Sequence, residues 1–266
     1  MRSARVLIIG ATGRMGRALV RAARERTAVR ISAAVARSGS EYLGQDAGAV
    51  AGIEALGVPI VEDLSGALAE CDVAVDFSQP AAAAANLAAC VAAGKALLIG
   101  TTGLPAELSP ELDRAARHIA LLQAANTSLG VTLLLELVRR CAEALPLKFD
   151  AEIIEAHHRH KKDAPSGTAL ALGQAIAHGR GQNLEEVAAL DRTAGGARTE
   201  GEIGFAVVRG GDLVGEHTVL FAGPGEQVIL GHRATDRGIF ASGALEAAAW
   251  LAARPPGRYS MRDIIL

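Results

Sequence analysis

Hydrophobic positions along this chain fall into two kinds of pattern, short unbroken runs and helically spaced sets. Residues 6–9 (Val-Leu-Ile-Ile) form an unbroken run, which predicts a buried strand. Residues 14–26 instead place Met15, Ala18, Leu19 and Ala22 on one helical face. Further strands are predicted over 29–35, 58–61, 73–77 and 96–99, with a helix over 65–69. Pro80 opens an alanine-rich helix and Gly94 closes it, since proline suits the first helical position and glycine the position just past the last. Strands that alternate with helices imply right-handed βαβ units and a doubly wound parallel sheet, a Rossmann-like α/β domain.

After Asn126 the pattern changes. A long apolar helix is expected over 131–145, a strand over 151–157 and a helix over 165–177. Strand-like runs follow at 204–208, 213–221 and 227–232, with Arg209-Gly210-Gly211-Asp212 read as a hairpin turn between the first two. Successive strands of this kind suggest a second, α+β domain with a mixed or antiparallel sheet. A helix over 241–252 would return the chain to the first domain. The expected division is 1–127 with 237–266 for dinucleotide binding, and 128–236 for substrate binding and oligomerisation. The polar, glycine-containing segment 179–201 is expected to be a mobile loop.

Composition narrows the picture. Half of the 266 residues are hydrophobic and only 3% aromatic, so the core must be built from Ala, Val, Leu and Ile, which suits helices packed on a parallel sheet. A net charge of −2 gives no global reason to expect nucleic acid or an anionic membrane as a partner. Cys71, Cys90 and Cys141 are odd in number and widely spaced, which favours a reducing cytoplasm over a disulfide framework. The opening apolar run is too short for a signal-peptide core, and no stretch approaches the roughly 20 apolar residues of a membrane span. A soluble, cytoplasmic protein is expected.

Two segments carry chemistry. The turn after the first strand reads Gly10-Ala11-Thr12-Gly13-Arg14-Met15-Gly16. Glycines there let the backbone turn tightly and approach a pyrophosphate, which then sits against the amides of the helix start. A plain strand–helix turn is the bland alternative. Such folds usually offer an acidic side chain to the adenine ribose at the end of the second strand, but here Ala36-Arg37 stands instead. An arginine suits a 2′-phosphate, which tilts the expectation to NADPH with NADH also accepted, unless Arg37 is merely a solvated surface residue.

The second segment is Glu155-Ala156-His157-His158-Arg159-His160-Lys161-Lys162-Asp163-Ala164-Pro165-Ser166-Gly167-Thr168, which holds three of the seven histidines within four positions. Three readings compete: a metal site, an exposed basic loop, and a pocket for an anionic substrate. Interleaved Arg159, Lys161 and Lys162 raise the cost of adding another cation. Pro165 and Ser166 signal a helix start, with Gly167 and Thr168 in its first turn, where backbone amides can turn toward a carboxylate. Histidine and lysine would serve as proton donors. The anion pocket leads, and no metal is expected.

These segments, with Ile99-Gly100-Thr101-Thr102-Gly103 and Gly215-Glu216-His217-Thr218, resemble the dihydrodipicolinate reductase family over nearly the whole chain. The resemblance implies an NAD(P)H-dependent oxidoreductase of the diaminopimelate–lysine route, acting on a cyclic imine dicarboxylate with hydride addition at C4 and loss of the 4-hydroxyl as water. It implies His157 as the acid/base residue and Lys161 as the proton donor. His158, Gly167 and Thr168 would hold the substrate carboxylates. Gly10, Ala11, Thr12, Gly13, Arg14, Met15, Arg37, Gly100, Thr101, Thr102, Ala124, Ala125, Asn126 and Thr127 would line the cofactor. A homotetramer built through the second domain's sheet is also implied. The chain departs from the family at Ala36, where many relatives are acidic, and at Thr127, where relatives often carry phenylalanine. Rival readings are a dehydrogenase of the aspartate-semialdehyde type, working through a cysteine, and a non-catalytic NADP-sensing regulator.

Overall fold

The computed structural model describes residues 3–193 and 195–266. In chain order the elements are β1 (Ala4–Ile9), α1 (Arg14–Ala23), β2 (Val29–Val35), α2 (Ala47–Ala51), β3 (Ile60–Val61), α3 (Leu64–Ala69), β4 (Val73–Asp76), α4 (Ala83–Ala92), β5 (Ala96–Ile99), α5 (Ser109–Ala115) and β6 (Ala120–Gln123). There follow α6 (Leu129–Ala144), β7 (Asp150–His157), α7 (Gly167–Arg180), α8 (Leu184–Val187), β8 (Ala188–Ala189), β9 (Ile203–Arg209), β10 (Gly215–Gly223), β11 (Glu226–Ala234), α9 (Gly238–Leu251), β12 (Gly257–Tyr259) and α10 (Arg262–Ile265). The chain divides into two compact units, residues 1–128 with 238–266, and residues 129–237.

In the first unit seven parallel strands run in the order β12-β6-β5-β4-β1-β2-β3. Strand order reverses between β1 and β4, and in open α/β sheets ligands bind outside the carboxyl ends of the strands at such a point. Val6, Leu7, Ile8, Leu97, Leu98 and Ile99 have no solvent exposure, as expected for strands covered by helices on both faces. Each such Leu or Ile contributes about 1.5–3 kcal/mol by leaving water. The short strands β6 and β12 at one side of the sheet were not among the expected elements, although residues 119–122, which lead into and through most of β6, form an unbroken apolar run; β12 has only three residues and no apolar pattern.

The second unit holds a five-stranded mixed sheet in the order β11-β10-β7-β9-β8. Leu134, Val138, Leu172 and Ile176 of α6 and α7 pack against Ala151, Ile153, Val219 and Phe221 on one sheet face. β7 alternates, with residues 151, 153, 155 and 157 buried and Ile154 exposed.

Two expectations are corrected here. Arg209-Gly210-Gly211-Asp212 is not a hairpin, because β7 lies between β9 and β10, parallel to the first and antiparallel to the second. The connection instead crosses the end of β7, a span of two strand spacings or ~10 Å, which residues 210–214 cover easily. Gly210 N–H donates to the His157 carbonyl (3.0 Å) and Arg159 N–H to that of Gly211 (3.2 Å), so the crossing loop caps β7. The true hairpin joins β10 and β11 through Pro224-Gly225, where Gly225 takes φ +82°. The second correction concerns segment 179–201, expected as a loop. It contains the end of α7, the helix α8 and the edge strand β8, and Arg192 and Arg198 anchor it to Glu152 on β7. Residue 194 of that segment lies outside the described residues. A smaller shift is at α7, which starts two residues after Pro165 because Ser166 is its cap. Ser166 Oγ accepts from the Ala169 amide (3.2 Å), and the helix runs on to Gly181 at φ +66°.

Candidate active site

In the first unit the glycine turn is built by leaving side chains out. Gly10 takes φ +83°, and a Cβ there would lie 2.9 Å from the Phe77 carbonyl at the end of β4. A Cβ on Gly16 would lie 2.2 Å from the Gly10 carbonyl and 2.7 Å from Ala11 Cα, so only glycine lets α1 start this close to the turn. Gly13 precedes α1 with no side-chain cap, which leaves the helix start open to an anion. Gly13 and Arg14 are exposed, Thr12 and Met15 half-buried, and Ala11 buried. Arg17 supports the turn from below, donating to the Thr12 carbonyl (2.9 Å) and lying 4.8 Å over the Tyr42 ring.

The other expected cofactor residues end the neighbouring strands of the same unit. Gly100 follows β5, and a Cβ there would lie 2.1 Å from the Phe77 ring. Thr101 is buried against Asp76, while Thr102 is exposed. Asp76 was missed by sequence reasoning. It is fully buried at the end of β4, accepts from Asn86 Nδ2 and the Ser78 amide (both 2.8 Å), and braces the turn after β5. Ala124 donates its amide to Ile99 (3.0 Å), Ala125 is exposed, and Asn126 Oδ1 accepts from the Ser128 amide (2.9 Å). Thr127 is buried and its hydroxyl donates to the Phe240 carbonyl (2.6 Å). Arg37 follows buried Ala36 and is exposed, with no side-chain partner among the described residues. An open helix start, a side-chain-free cradle and an available guanidinium fit a dinucleotide's phosphates.

In the second unit the site is made by burying charge. The end of β7 places Glu155 and His157 on the buried face, where they meet His217 of β10 and Arg209 of β9. His157 Nδ1 lies 2.6 Å from Glu155 Oε2, and the Arg209 guanidinium grips both carboxylate oxygens at 2.7 and 2.8 Å. Ser166 donates its amide to Glu155 Oε1 (2.9 Å). Burial alone would push this carboxyl up, but the hydrogen bonds from Arg209, His157 and Ser166 outweigh it and hold the pKa at about 2. His217 packs edge-on to His157, with ring centroids 5.1 Å apart, and its Nε2 lies 3.0 Å from Ser166 Oγ. Burial first, then the nearby His157, push the His217 pKa down to about 4, so its ring is neutral at pH 7.

The histidines of the cluster diverge. His157 is buried, His158 half-buried and His160 exposed. Partial burial, then Arg237, His160, His157 and Lys161, lower the pKa of His158. Among the described residues no group of three or more His, Cys, Asp or Glu is placed to hold a metal. Lys161 Nζ pairs with Asp163 Oδ2 at 2.8 Å. Gly167 and Thr168 open α7 directly after Ser166. Glu155 lies inside the histidine-rich segment, where residue type alone gives it no role, and Ser166, expected only as part of a helix start, also reaches Glu155 through its amide. Arg209, His217 and Arg237 were missed because their partners are remote in sequence, and only the Gly215-Glu216-His217-Thr218 match marked one of them. Cys71 and Cys90 are poor nucleophiles, because burial pushes the Cys71 thiol up to about 11 and the Cys90 thiol up to about 12.

A parallel sheet with a glycine turn at its switch point, in one chain with a second sheet bearing a buried histidine–carboxylate pair, defines a two-unit oxidoreductase of the dinucleotide-binding class. The family models for the dihydrodipicolinate reductase N-terminus and C-terminus match residues 4–127 and 130–265. The chain is 50% identical over 259 residues to a 4-hydroxy-tetrahydrodipicolinate reductase of Halorhodospira halophila, covering 97% of each. It is 49% identical over 261 residues to the enzyme of that name from Ruegeria pomeroyi, covering 98% of this chain and 97% of the relative. Among solved structures, a dipicolinate-bound dihydrodipicolinate reductase from Paenisporosarcina sp. TG-14 superposes with a TM-score of 0.80 at 26% identity, covering 99% of this chain and 100% of that one. The chain belongs to the dihydrodipicolinate reductase family.

Proposed function

We propose that this protein reduces 4-hydroxy-tetrahydrodipicolinate to tetrahydrodipicolinate with a reduced pyridine nucleotide, releasing water, in lysine biosynthesis through diaminopimelate. The observation that carries the reading is the 2.6 Å His157–Glu155 contact beside the start of α7, in a chain about half identical over its length to reductases of that name. When bound, the reduced nicotinamide supplies the hydride. The glycine turn and the strand ends of the first unit bind it, through Gly10, Ala11, Thr12, Gly13, Arg14 and Met15, and through Gly100 to Thr102 and Ala124 to Thr127. His158 and the first turn of α7 at Gly167 and Thr168 take the substrate carboxylates.

Loss of the C4 hydroxyl with a C3 proton as water first creates the conjugated C=C–C=N unit, and hydride addition at C4 then leaves electron density at its far end. Lys161 stabilises that charge and donates a proton there, while His157 exchanges protons as acid and base. One hydride and one proton enter, and the C4 hydroxyl leaves as water. Exposed Arg37 after buried Ala36 supports a 2′-phosphate partner and hence NADPH as the better cofactor, with NADH accepted. Assembly as a homotetramer through the second sheet is part of the reading, and exposed Ile154, Val208 and Ile229 on that sheet support it. The three free cysteines support a cytoplasmic setting. No helix among the described residues is long and apolar enough to cross a membrane.

The test generates the substrate in situ from pyruvate and aspartate semialdehyde with the preceding condensing enzyme and follows loss of nicotinamide absorbance for NADPH and NADH. Substrate-dependent oxidation is expected, with the higher kcat/KM for NADPH. No substrate-dependent oxidation with either cofactor overturns the reaction, and a clear NADH preference overturns the role of Arg37.

A further inference from the structure

One carboxylate gathers four donors from three segments of the second unit. Glu155 Oε2 faces His157 Nδ1 (2.6 Å) and Arg209 Nη1 (2.7 Å), and Oε1 faces Arg209 Nη2 (2.8 Å) and the Ser166 amide (2.9 Å). Glu155 is 1% exposed, so a charge there persists only if paired and fully hydrogen-bonded, which these contacts achieve. The Arg209 fork and the Ser166 amide can only donate, so the carboxylate must be ionised to accept from all of them. An ionised carboxylate cannot donate in return, and the proton between Glu155 and His157 therefore sits on Nδ1. In the neutral ring this leaves the lone pair on Nε2. Room at that atom is preserved by Gly215, where a Cβ would stand 3.0 Å from Nε2.

The same carboxylate reaches further than the histidine. Through the Ser166 amide it fixes the residue that caps α7, whose Oγ accepts from Ala169 and whose next neighbours are Gly167 and Thr168. Arg209 enters from the end of β9, just before the loop that crosses the end of β7, and it also donates to the Asp163 carbonyl (2.6 Å), two residues after Lys161. Three parts of the proposed site, His157, the start of α7 and the segment after Lys161, are thus tied to one ion pair.

We propose that Glu155 and Arg209 are positioning residues for the reaction proposed above: Glu155 holds His157 as the Nδ1–H tautomer and sets the start of α7, while Arg209 locks the carboxylate in place. This rests on the reading of His157 as the acid/base residue. In the Glu155→Gln variant the neutral amide offers one acceptor oxygen in place of two and turns its NH₂ toward Arg209 or His157. The histidine then loses its single tautomer, and the start of α7 loses its tether.

The experiment records long-range ¹H–¹⁵N spectra of the full chain with ¹⁵N-labelled histidine, with His157→Asn identifying the His157 signals. The wild type is expected to show His157 protonated on Nδ1 alone. Glu155→Gln is expected to show mixed tautomers and a kcat about ten- to a hundredfold lower, within the range general acid–base groups supply, with the KM for reduced cofactor unchanged. Arg209→Met leaves a buried carboxylate unpaired and invites misfolding, so the Glu155→Gln/Arg209→Met pair, which removes both charges, and Arg209→Lys, which keeps both but loses the two-pronged fork, are measured beside it. Arg209→Lys is expected to recover part of the kcat lost in the double variant. A wild-type His157 protonated on Nε2 overturns the proposal, as does a Glu155→Gln protein with wild-type tautomer and kcat. The tautomer reading needs no substrate, so a wild type that fails to turn over the dicarboxylate counts against the function and not against the anchoring.

Discussion

At the end of β1 the chain makes its site by omission, and at the end of β7 by burying charged side chains. Gly10, Gly16 and Gly100 each stand where a Cβ would collide with backbone or with the Phe77 ring, so the first region is defined by close backbone approach. Glu155, His157, Arg209 and His217 form the second region, with side chains meeting across strands and loops. The first needs little electrostatic compensation, because helix-start amides and an exposed arginine face water until an anion arrives. The second must satisfy every charge internally, since an unpaired buried carboxylate costs several kcal/mol. Shape is the main constraint on the first region and charge compensation on the second.

That contrast is breakable in three ways. The largest effect is expected from Lys161→Ala, which removes the proposed proton donor of the charged region. The kcat should fall by about two orders of magnitude or more, with cofactor affinity unchanged, in single-turnover and steady-state assays. Near-normal turnover would remove Lys161 from the mechanism. Next, Gly16→Ala puts a methyl 2.2 Å from the Gly10 carbonyl and must displace the turn. A backbone strain of about 1–3 kcal/mol corresponds to roughly a tenfold or greater rise in the Kd of reduced cofactor by fluorescence titration. The KM for the dicarboxylate should stay as it was, and an unchanged cofactor Kd would show that the close approach is not needed.

The smallest effect is on stability against pH. His217 titrates near its ordinary 6.5 when unfolded and at about 4 when folded, so the unfolded chain binds more protons between these values. Its stabilising contribution is complete above pH 6.5 and is lost as pH falls toward 4. Glu155, held at about 2 against an ordinary 4.5, adds a second loss between pH 4.5 and 2. The Tm should therefore decline by a few degrees per kcal/mol lost from pH 6.5 downward, with the first stage smaller in His217→Gln, where the likewise lowered His158 and His232 remain, and the second smaller in Glu155→Gln. A Tm constant between pH 6.5 and 4 would mean that His217 is not buried neutral.

Local pattern made the first region legible. Unbroken apolar runs, glycine spacing and the Pro80 and Gly94 punctuation are all read within a few residues, and β2, β5 and the start of α1 match the expected bounds. In the second region the cluster 155–168 was visible as a segment, but its partners were not. Arg209 lies 54 residues from Glu155, and His217 lies 51 from Ser166. The Arg209–Asp212 segment has hairpin chemistry, and only strand pairing decides that β7 is inserted between its neighbours.

By itself, the sequence determined most strands and helices of the first unit, where glycines let the backbone pass without side chains, and which segment gathers histidines and lysines, because those depend on period, sterics and residue type over short spans. The tertiary structure alone decided that His157 is held through Nδ1, that Arg209 and the α7 start share its carboxylate, and that His217 stays neutral. Those outcomes depend on burial and on contacts between distant strands, which determine where a charge can be compensated and where a proton must sit.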